Sequence, residues 1–209
     1  MDAFLFFKAA LIGLSIAAPV GPIGLLCIQR TLAHGSRIGF ISGLGAAVAD
    51  GVYGALGAFG LVAITQWFVA LATPLALGGA AFLGWMGVQM LRASGADHAP
   101  DQVMKSVDAE SPFKAFVTVF ALTLTNPMTI LSFIAVFAAI GGATSRDAGA
   151  AGWMVLGVFA GSALWWLTLA LVVAALRHRI SDNVMRQINR AAGCFLLIFA
   201  TWQFGSLAD

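Results

Sequence analysis

One acidic side chain, Asp50, lies well inside an apolar stretch of this chain that starts near Ile38. An aspartate at the centre of a bilayer costs roughly 2.5–3.5 kcal/mol on insertion scales, and such residues usually face a cavity and serve a pathway or a proton relay. Burial disfavours the charged form of the carboxyl group, whereas a bound ammonium group favours it. We therefore interpret Asp50 as a group that exchanges a proton for a cationic ligand. In the alternative interpretation, Asp50 is a structural acid bonded to Tyr53 or to an amide of a broken helix.

Two prolines interrupt apolar stretches that are otherwise typical of helices. Pro22 follows Gly21, and Pro127 follows Asn126. Proline removes a helical hydrogen bond, and a preceding Asn or Gly suits the N-cap, so each site predicts the start of a new half-helix. A helix N-terminus in the middle of the membrane binds a carboxylate through its amide groups. The alternative is that both prolines are ordinary kinks used for packing.

Three further side chains are candidates for the same site. Tyr53 stands close to Asp50 in the sequence, and Thr125 directly precedes the second break. We include both in the predicted substrate site. Trp165 and Trp166 lie too deep in their apolar stretch for an interfacial aromatic belt. We include Trp166 as a residue that lines the cavity, with lipid contact as the alternative.

Glycines recur at three- or four-residue spacing, and the pair Gly157 and Gly161 is one example. Such spacing lets helix backbones approach closely in membranes, so we predict packing contacts here and no ligand contact. Cys27 and Cys194 both stand in apolar stretches, where a free cysteine behaves as a small buried hydrophobe.

The composition predicts an all-α integral membrane protein. Of the 209 residues 60% are hydrophobic and only 10% are charged, and the mean hydropathy is +0.94. A soluble fold needs more polar surface to cover its core. A span needs about 20 apolar residues. Charged positions divide the chain into six such stretches: Ala9 to Gln29, two between Ile38 and Leu91 with a break at Gln66 to Thr73, Lys114 to Arg146, Asp147 to Arg177, and Ala191 to about Leu207.

The positive charges predict the orientation. Nine Lys and Arg residues fall after spans one, three and five, and two fall on the opposite side, Lys8 and Arg146. The nine are Arg30, Arg37, Arg92, Lys105, Lys114, Arg177, Arg179, Arg186 and Arg190. Cytoplasmic loops are enriched in these residues, so we predict that both termini lie outside.

The spans divide into two halves, 1–91 and 115–209, joined by a flexible cytoplasmic linker at 92–114. Three spans are an odd number, so a tandem duplication inverts its second copy. We therefore predict two inverted three-helix repeats, with helices 1 and 4 broken at their prolines.

In their order and spacing these motifs resemble the LysE-type amino-acid exporter family, which includes the lysine exporter and the homoserine/threonine exporters. The likeness spans nearly the whole chain and rests on four features: Pro19, Gly21 and Pro22 in span one, the glycine-spaced run from Gly35 to Asp50, Asn126 and Pro127, and the run Arg186 to Gly193.

The resemblance implies a proton-coupled exporter of amino acids from the bacterial cytoplasm across the inner membrane. It carries the binding role onto Pro19, Pro22, Asp50, Asn126 and Pro127, and it implies no cofactor and no resident metal. Many members of the family have an aromatic pair a few residues after the Asn-Pro motif. Leu131, Ser132 and Phe133 stand there instead, which leaves the substrate open.

Three other functions stay open at this point. A six-span exporter of metal cations needs clustered Cys, His or carboxylate ligands, but His34, His98 and His178 lie outside the predicted spans. A membrane thiol-disulfide oxidoreductase needs paired cysteines beside the broken helices, and a structural or signalling membrane protein leaves no motif. The absence of a basic stripe with aromatics argues against nucleic acid as a partner. The partners expected are an amino acid, protons and the lipid bilayer, with a homodimer as an open possibility.

Overall fold

The computed structural model describes residues 2–19, 21–58, 74, 77–85, 87–88, 91–92, 111–139, 148–177 and 182–206. Within these ranges the chain is helical and has no strand, which confirms the all-α prediction at that level. Seven helices have defined bounds: α1 (Asp2–Ala17), α2 (Pro22–His34), α3 (Ser36–Ala58), α4 (Pro112–Leu124), α5 (Pro127–Ala139), α6 (Ala148–Leu176) and α7 (Asp182–Ser206). Residues 77–85 form a further helical segment.

Among the described residues, two helices are long and apolar enough to cross a bilayer alone, Ser36–Ala58 and Gly149–Leu176. A third candidate is the pair Ala3–Ala17 and Pro22–His34, which is bent by 84°. Pro112–Leu124, which is α4, and Arg190–Trp202, which is part of α7, are shorter apolar helical segments. The predicted break between spans two and three, Gln66 to Thr73, lies outside the described residues.

Local sequence explains where several of these helices begin and end. Ser111 caps α4, because its hydroxyl oxygen accepts a hydrogen bond from the Lys114 amide at 3.2 Å, and Pro112 follows at the first helical position. At the end of α2 the chain turns through Gly35, whose φ of +89° favours glycine over residues with a side chain. The turn lets α3 start at once at Ser36.

The last helix extends beyond the predicted apolar span, whose start near Ala191 agrees with the apolar part of the helix, Arg190–Trp202. We placed the start of span six near Ala191, whereas α7 starts at Asp182. Arg186 and Arg190 therefore belong to the helix and not to a loop. Hydropathy alone misses this extension, because a helix continues past the apolar core of a bilayer as polar turns that are stable in water.

Helix α6 is central to the packing, since it contacts α1, α2 and α3, while α3 also contacts α2, α4 and α5. On its other side α6 exposes large apolar side chains such as Leu156, Leu164 and Leu171, as a lipid-facing surface requires. Close approach to α1 depends on glycine: a side chain at Gly157 or Gly161 would collide with the α1 backbone. The predicted packing role of this pair is confirmed.

Where the structure describes them, the buried apolar side chains form two clusters. The first cluster consists of Ala17, Leu26, Cys27, Ala46, Ala47, Leu83, Val119, Leu122, Trp166 and Leu196. The second cluster consists of Ala9, Tyr53, Ala58, Ile130, Phe133, Ala151, Met154 and Val158. Along α3, Asp50 comes between Ala47 of the first cluster and Tyr53 of the second. The acid therefore stands where the two apolar clusters meet.

Candidate functional site

The first break lies between α1 and α2. Pro22 is buried at the first helical position, and Gly21 is the N-cap in an extended conformation, with φ −106° and ψ −162°. Gly21 has no side chain to bond the first amides of α2, and the space where one would project is open to 4 Å. The start of α2 thus offers backbone amides without a side-chain cap. Pro19 is exposed in the segment between the helices.

The second break lies between α4, which ends at Leu124, and α5, which begins at Pro127. The Asn126 side-chain oxygen accepts a hydrogen bond from the Met128 amide at 3.1 Å. The Thr125 hydroxyl donates to the Leu122 carbonyl at 3.2 Å. Unlike the start of α2, the start of α5 therefore has a side-chain cap of the ordinary kind.

A small cavity joins the two breaks. Its volume is about 20 Å³, and its lining is Pro22, Ile23, Gly79, Leu83, Leu122, Thr125, Asn126 and Phe199. Space of this size holds about one water molecule. Of the predicted site residues, the structure brings Pro22, Thr125 and Asn126 to this cavity, and the described lining does not include Asp50, Tyr53 or Trp166. The cavity must widen before it accepts a larger solute.

Asp50 is buried, with only 2% of its surface exposed. The Ser162 hydroxyl of α6 donates a hydrogen bond of 2.6 Å to the Asp50 Oδ2 atom. Ser162 is itself fully buried. Ser162 is not among the predicted site residues, although a hydroxyl in the middle of a long apolar helix indicates that it needs a partner. The acid is therefore held between α3 and α6, away from lipid.

Tyr53 follows Asp50 by three residues, so both stand on one side of α3. Its hydroxyl donates a hydrogen bond of 2.6 Å to the carbonyl of Leu124, which is the last residue of α4. Its ring stacks on Phe133 of α5, with centroids 5.3 Å apart. Tyr53 thus touches the helices on both sides of the second break. The Tyr53 hydroxyl thus donates to Leu124, while the hydroxyl that donates to Asp50 is that of Ser162.

Trp166 is buried in the first cluster and packs against Gly43, where a side chain would collide with the indole. It stands four residues after Ser162 on α6. The indole Nε1 atoms of Trp165 and Trp166 are buried and have no hydrogen-bond acceptor among the described residues. Both are donors that a polar ligand or water would satisfy.

Arg30 corrects one assignment of the sequence analysis. We counted it as a loop residue, but it belongs to α2 and only 3% of its surface is exposed. Its Nη1 atom donates to the Ser42 hydroxyl of α3 at 3.2 Å and to the Ala115 carbonyl of α4 at 3.0 Å. A count of charges assigns every cation to the nearest loop and does not detect a side chain that bonds across helices.

The metal-exporter and thiol-disulfide oxidoreductase alternatives both depend on features that the structure describes. In the described part of the chain, no group of three or more His, Cys, Asp or Glu side chains lies close enough to hold a metal ion. Cys27 is free and buried, and Cys194 is free and exposed. They belong to α2 and α7, and neither stands at a break.

The family follows from comparison with known sequences. Residues 14–203 match the family described as LysE type translocator. The chain belongs to this family. Its members are transporters and not enzymes, so the motifs at the two breaks and at Asp50 belong to a translocator.

Two curated relatives cover nearly the whole chain. YcgF of Bacillus subtilis (strain 168), provisionally named an amino acid efflux protein, is 29% identical over 93% of this chain and 92% of its own length. The arginine exporter protein ArgO of Escherichia coli (strain K12) is 29% identical over 93% of this chain and 90% of its own length. No solved structure gives a significant match.

Proposed function

We propose that this protein is a secondary transporter that exports an amino acid, or a close derivative, from the bacterial cytoplasm across the inner membrane by proton antiport. Membership in the LysE family and the names of YcgF and ArgO support amino acid export. Because ArgO is named an arginine exporter, arginine is the first substrate to test. The observation that carries the proton part is Asp50, buried against Ser162 at the meeting of two apolar clusters.

The proposed architecture has six spans in two inverted three-helix repeats, 1–91 and 115–209, with the linker 92–114 in the cytoplasm. The paired breaks before Pro22 and Pro127 support it, because one falls in the first span of each proposed repeat. The shared cavity supports it further, since inverted repeats bring their broken helices together at the membrane midplane.

The substrate carboxylate binds in this scheme at the start of α2, where Gly21 leaves the first amides without a side-chain cap. The start of α5 is the secondary position, because Asn126 already accepts from one of its amides. The Thr125 hydroxyl and the Trp166 indole supply further polar contacts, and Pro19, Pro22 and Pro127 set the course of the chain around the site.

The substrate ammonium group binds Asp50, which replaces its bond to Ser162 with an ion pair. A proton from outside then neutralises Asp50 and releases the substrate. For a zwitterionic amino acid, each proton that moves down a potential of 100 mV supplies about 2.3 kcal/mol, which sustains a concentration ratio of about fifty. For arginine, which carries one net positive charge, one-for-one exchange with a proton moves no net charge, so the pH gradient alone drives export. Tyr53 connects protonation of Asp50 to the second break, because it stands one turn from Asp50 and bonds the end of α4.

The test is efflux of radiolabelled arginine and other amino acids from proteoliposomes under an imposed pH gradient. We expect wild type to export against a gradient when the trans side is acidic. Asp50→Asn keeps the shape of the side chain but not its titrating group. We expect this variant to lose pH-driven export while it remains stable and monodisperse in detergent.

Ser162→Ala is the matched control, since it removes the bond to Asp50 but keeps the acid. We expect it to export more slowly and to stay coupled to the pH gradient. Unchanged pH-driven export by Asp50→Asn would remove Asp50 from the mechanism. Absence of efflux for every amino acid would overturn the proposed function itself.

A further inference from the structure

Arg30 and Asp50 are the two charged side chains that the described part of the chain buries. Asp50 already has a place in the proposed transport cycle, and Arg30 has none. Buried cations in membrane segments are rare and are usually functional. Arg30 stands in α2, four residues before the helix ends at His34.

The contacts of Arg30 join three helices at one point. Its Nη1 atom donates to the Ala115 carbonyl of α4 at 3.0 Å and to the Ser42 hydroxyl of α3 at 3.2 Å. Ser42 is fully buried and donates its own proton to the Ile38 carbonyl at 2.9 Å, so its oxygen is oriented to accept from Arg30. Arg30 thereby links α2 to α4, which are far apart in sequence.

The same two helices also form the cavity, but at their opposite ends. Pro22 begins α2 and lines the cavity, and it precedes Arg30 by eight residues, a helical rise of about 12 Å. Leu122 of α4 also lines the cavity, and it follows Ala115 by seven residues, a rise of about 10 Å. The Arg30 contact therefore holds α2 to α4 on one side of the cavity. This side carries Arg37 and Lys114 and is the one predicted to face the cytoplasm.

We propose that Arg30 is the latch that closes the cytoplasmic path to the cavity, and that the carboxylate of an arriving amino acid opens it. The bond between Nη1 and the Ala115 carbonyl must break before α2 and α4 separate. A carboxylate is a stronger acceptor for a guanidinium than a neutral carbonyl, so it replaces Ala115 as the partner. This inference rests on the proposed transport function and deepens it.

The experiment measures access to the cavity by thiol labelling. The full-length protein carries Cys27→Ala and Cys194→Ala, and Thr125→Cys supplies a probe of similar size in the cavity lining. A membrane-impermeant maleimide is added to inside-out vesicles, which present the cytoplasmic face, and to right-side-out vesicles. We expect Arg30→Gln to raise the labelling rate from the cytoplasmic face about tenfold or more, the ratio that corresponds to loss of a hydrogen bond to a charged group.

Two variants show whether the geometry of the guanidinium matters. Arg30→Lys keeps a cation with three N–H donors but loses the planar guanidinium, and we expect it to restore part of the closure. Arg37→Gln removes a cation that is exposed on α3, and we expect the labelling rate to stay at the wild-type value. Equal labelling rates for Arg30→Gln and wild type would overturn the latch.

A second probe separates opening from unfolding. Val158→Cys places a thiol between α3 and α6, where the wild-type side chain lies against Gly54 and is 1% exposed. It should stay unlabelled in every variant. If Arg30→Gln exposes this thiol too, Arg30→Lys decides: faster labelling at position 125 alone supports the latch, and labelling at both positions overturns it.

The carboxylate step has its own readout. The amino acid that wild type exports in the efflux assay should speed cytoplasmic labelling of wild type, and its amide, which lacks the carboxylate, should not. In Arg30→Gln neither should change the rate. Equal acceleration by the acid and the amide would overturn the carboxylate step. A wild type that exports no amino acid would overturn the proposed function, whereas the labelling of Arg30→Gln without substrate would still decide whether Arg30 closes the path.

Discussion

Asn126 occupies the start of α5, where its side chain accepts from the Met128 amide and lines the cavity. Asparagine and aspartate are almost equally good N-caps, and a negative charge at a helix N-terminus is favourable. An aspartate at position 126 therefore keeps the cap while it repels a carboxylate. One substitution therefore separates the helix-cap role of this residue from its proposed role as a substrate contact.

We expect Asn126→Asp to unfold at the wild-type temperature or above and to export at a rate lower by about tenfold, the effect of one like-charge contact in a poorly solvated site. Asn126→Ala is the matched variant: it loses the cap, which costs about 1 kcal/mol, and its unfolding temperature should fall. Thermal unfolding in detergent and efflux from proteoliposomes measure the two effects. Wild-type export by Asn126→Asp would exclude the start of α5 from the carboxylate site.

The sequence predicted the residues whose local pattern is unusual. Asp50 stands out as an acid in an apolar stretch, and Pro22 and Pro127 stand out as helix breaks. Ser162 and Arg30 did not stand out, because their importance depends on tertiary contacts. Ser162 bonds a residue 112 positions away, and Arg30 bonds one 85 positions away. Such distant partners follow from how the helices pack, which a single sequence does not contain.

At the scale of elements, α1 and α6 pack closely through glycine. A side chain at Gly161 would collide with the Ala10 backbone of α1, whereas nothing lies within 4 Å of the position where Gly152 would project one. Both glycines belong to α6. The same substitution is therefore expected to disturb the packing at Gly161 and to leave it unchanged at Gly152.

We expect Gly161→Val to destabilise the protein by about 1–3 kcal/mol or more, because overpacking forces the backbones of α1 and α6 apart. Gly152→Val should leave stability near the wild-type value. The measurement is the unfolding temperature in detergent, with monodispersity on gel filtration as a second readout. Equal effects of the two substitutions would mean that α1 does not depend on this contact.

The sequence predicted the existence of most helices and the positions of both breaks, but not their geometry. Proline and asparagine indicate where a helix starts, and α2 and α5 do start at Pro22 and Pro127. The 84° bend between α1 and α2 depends on what each helix packs against. Helix α1 packs on α6, while α2 packs mainly on α3. Local signals therefore predict a break without its angle.

At the scale of the whole molecule, two kinds of link hold α3 to its neighbours. Polar contacts connect it to α2, α4 and α6 through Ser42, Tyr53 and Asp50. Between them lie the apolar contacts of the two clusters. Because these polar contacts are spread along α3 from Ser42 to Tyr53, a change at Asp50 acts on the helix that also bonds the end of α4. The single long helix α3 thus connects the acid, the second break and the Arg30 contact.

The orientation of the molecule in the membrane decides the direction of transport. Arg30 is buried and no longer counts toward the loops, but eight of the nine Lys and Arg residues on the predicted cytoplasmic side remain, against Lys8 and Arg146 on the other. The bias still favours termini outside the cytoplasm. Since α7 begins at Asp182, Arg186 and Arg190 belong to its first turns, at the end of the helix that is predicted to face the cytoplasm.

We expect alkaline phosphatase, which is active only outside the cytoplasm, to be active when fused after Asp209 and inactive when inserted between residues 93 and 110. A green fluorescent protein, which matures in the cytoplasm, should give the reciprocal pattern at the same two positions and is the control for expression. The opposite pattern would invert the molecule. Arg30 would then close the outer side of the cavity, and the direction of transport in the proposed function would be reversed.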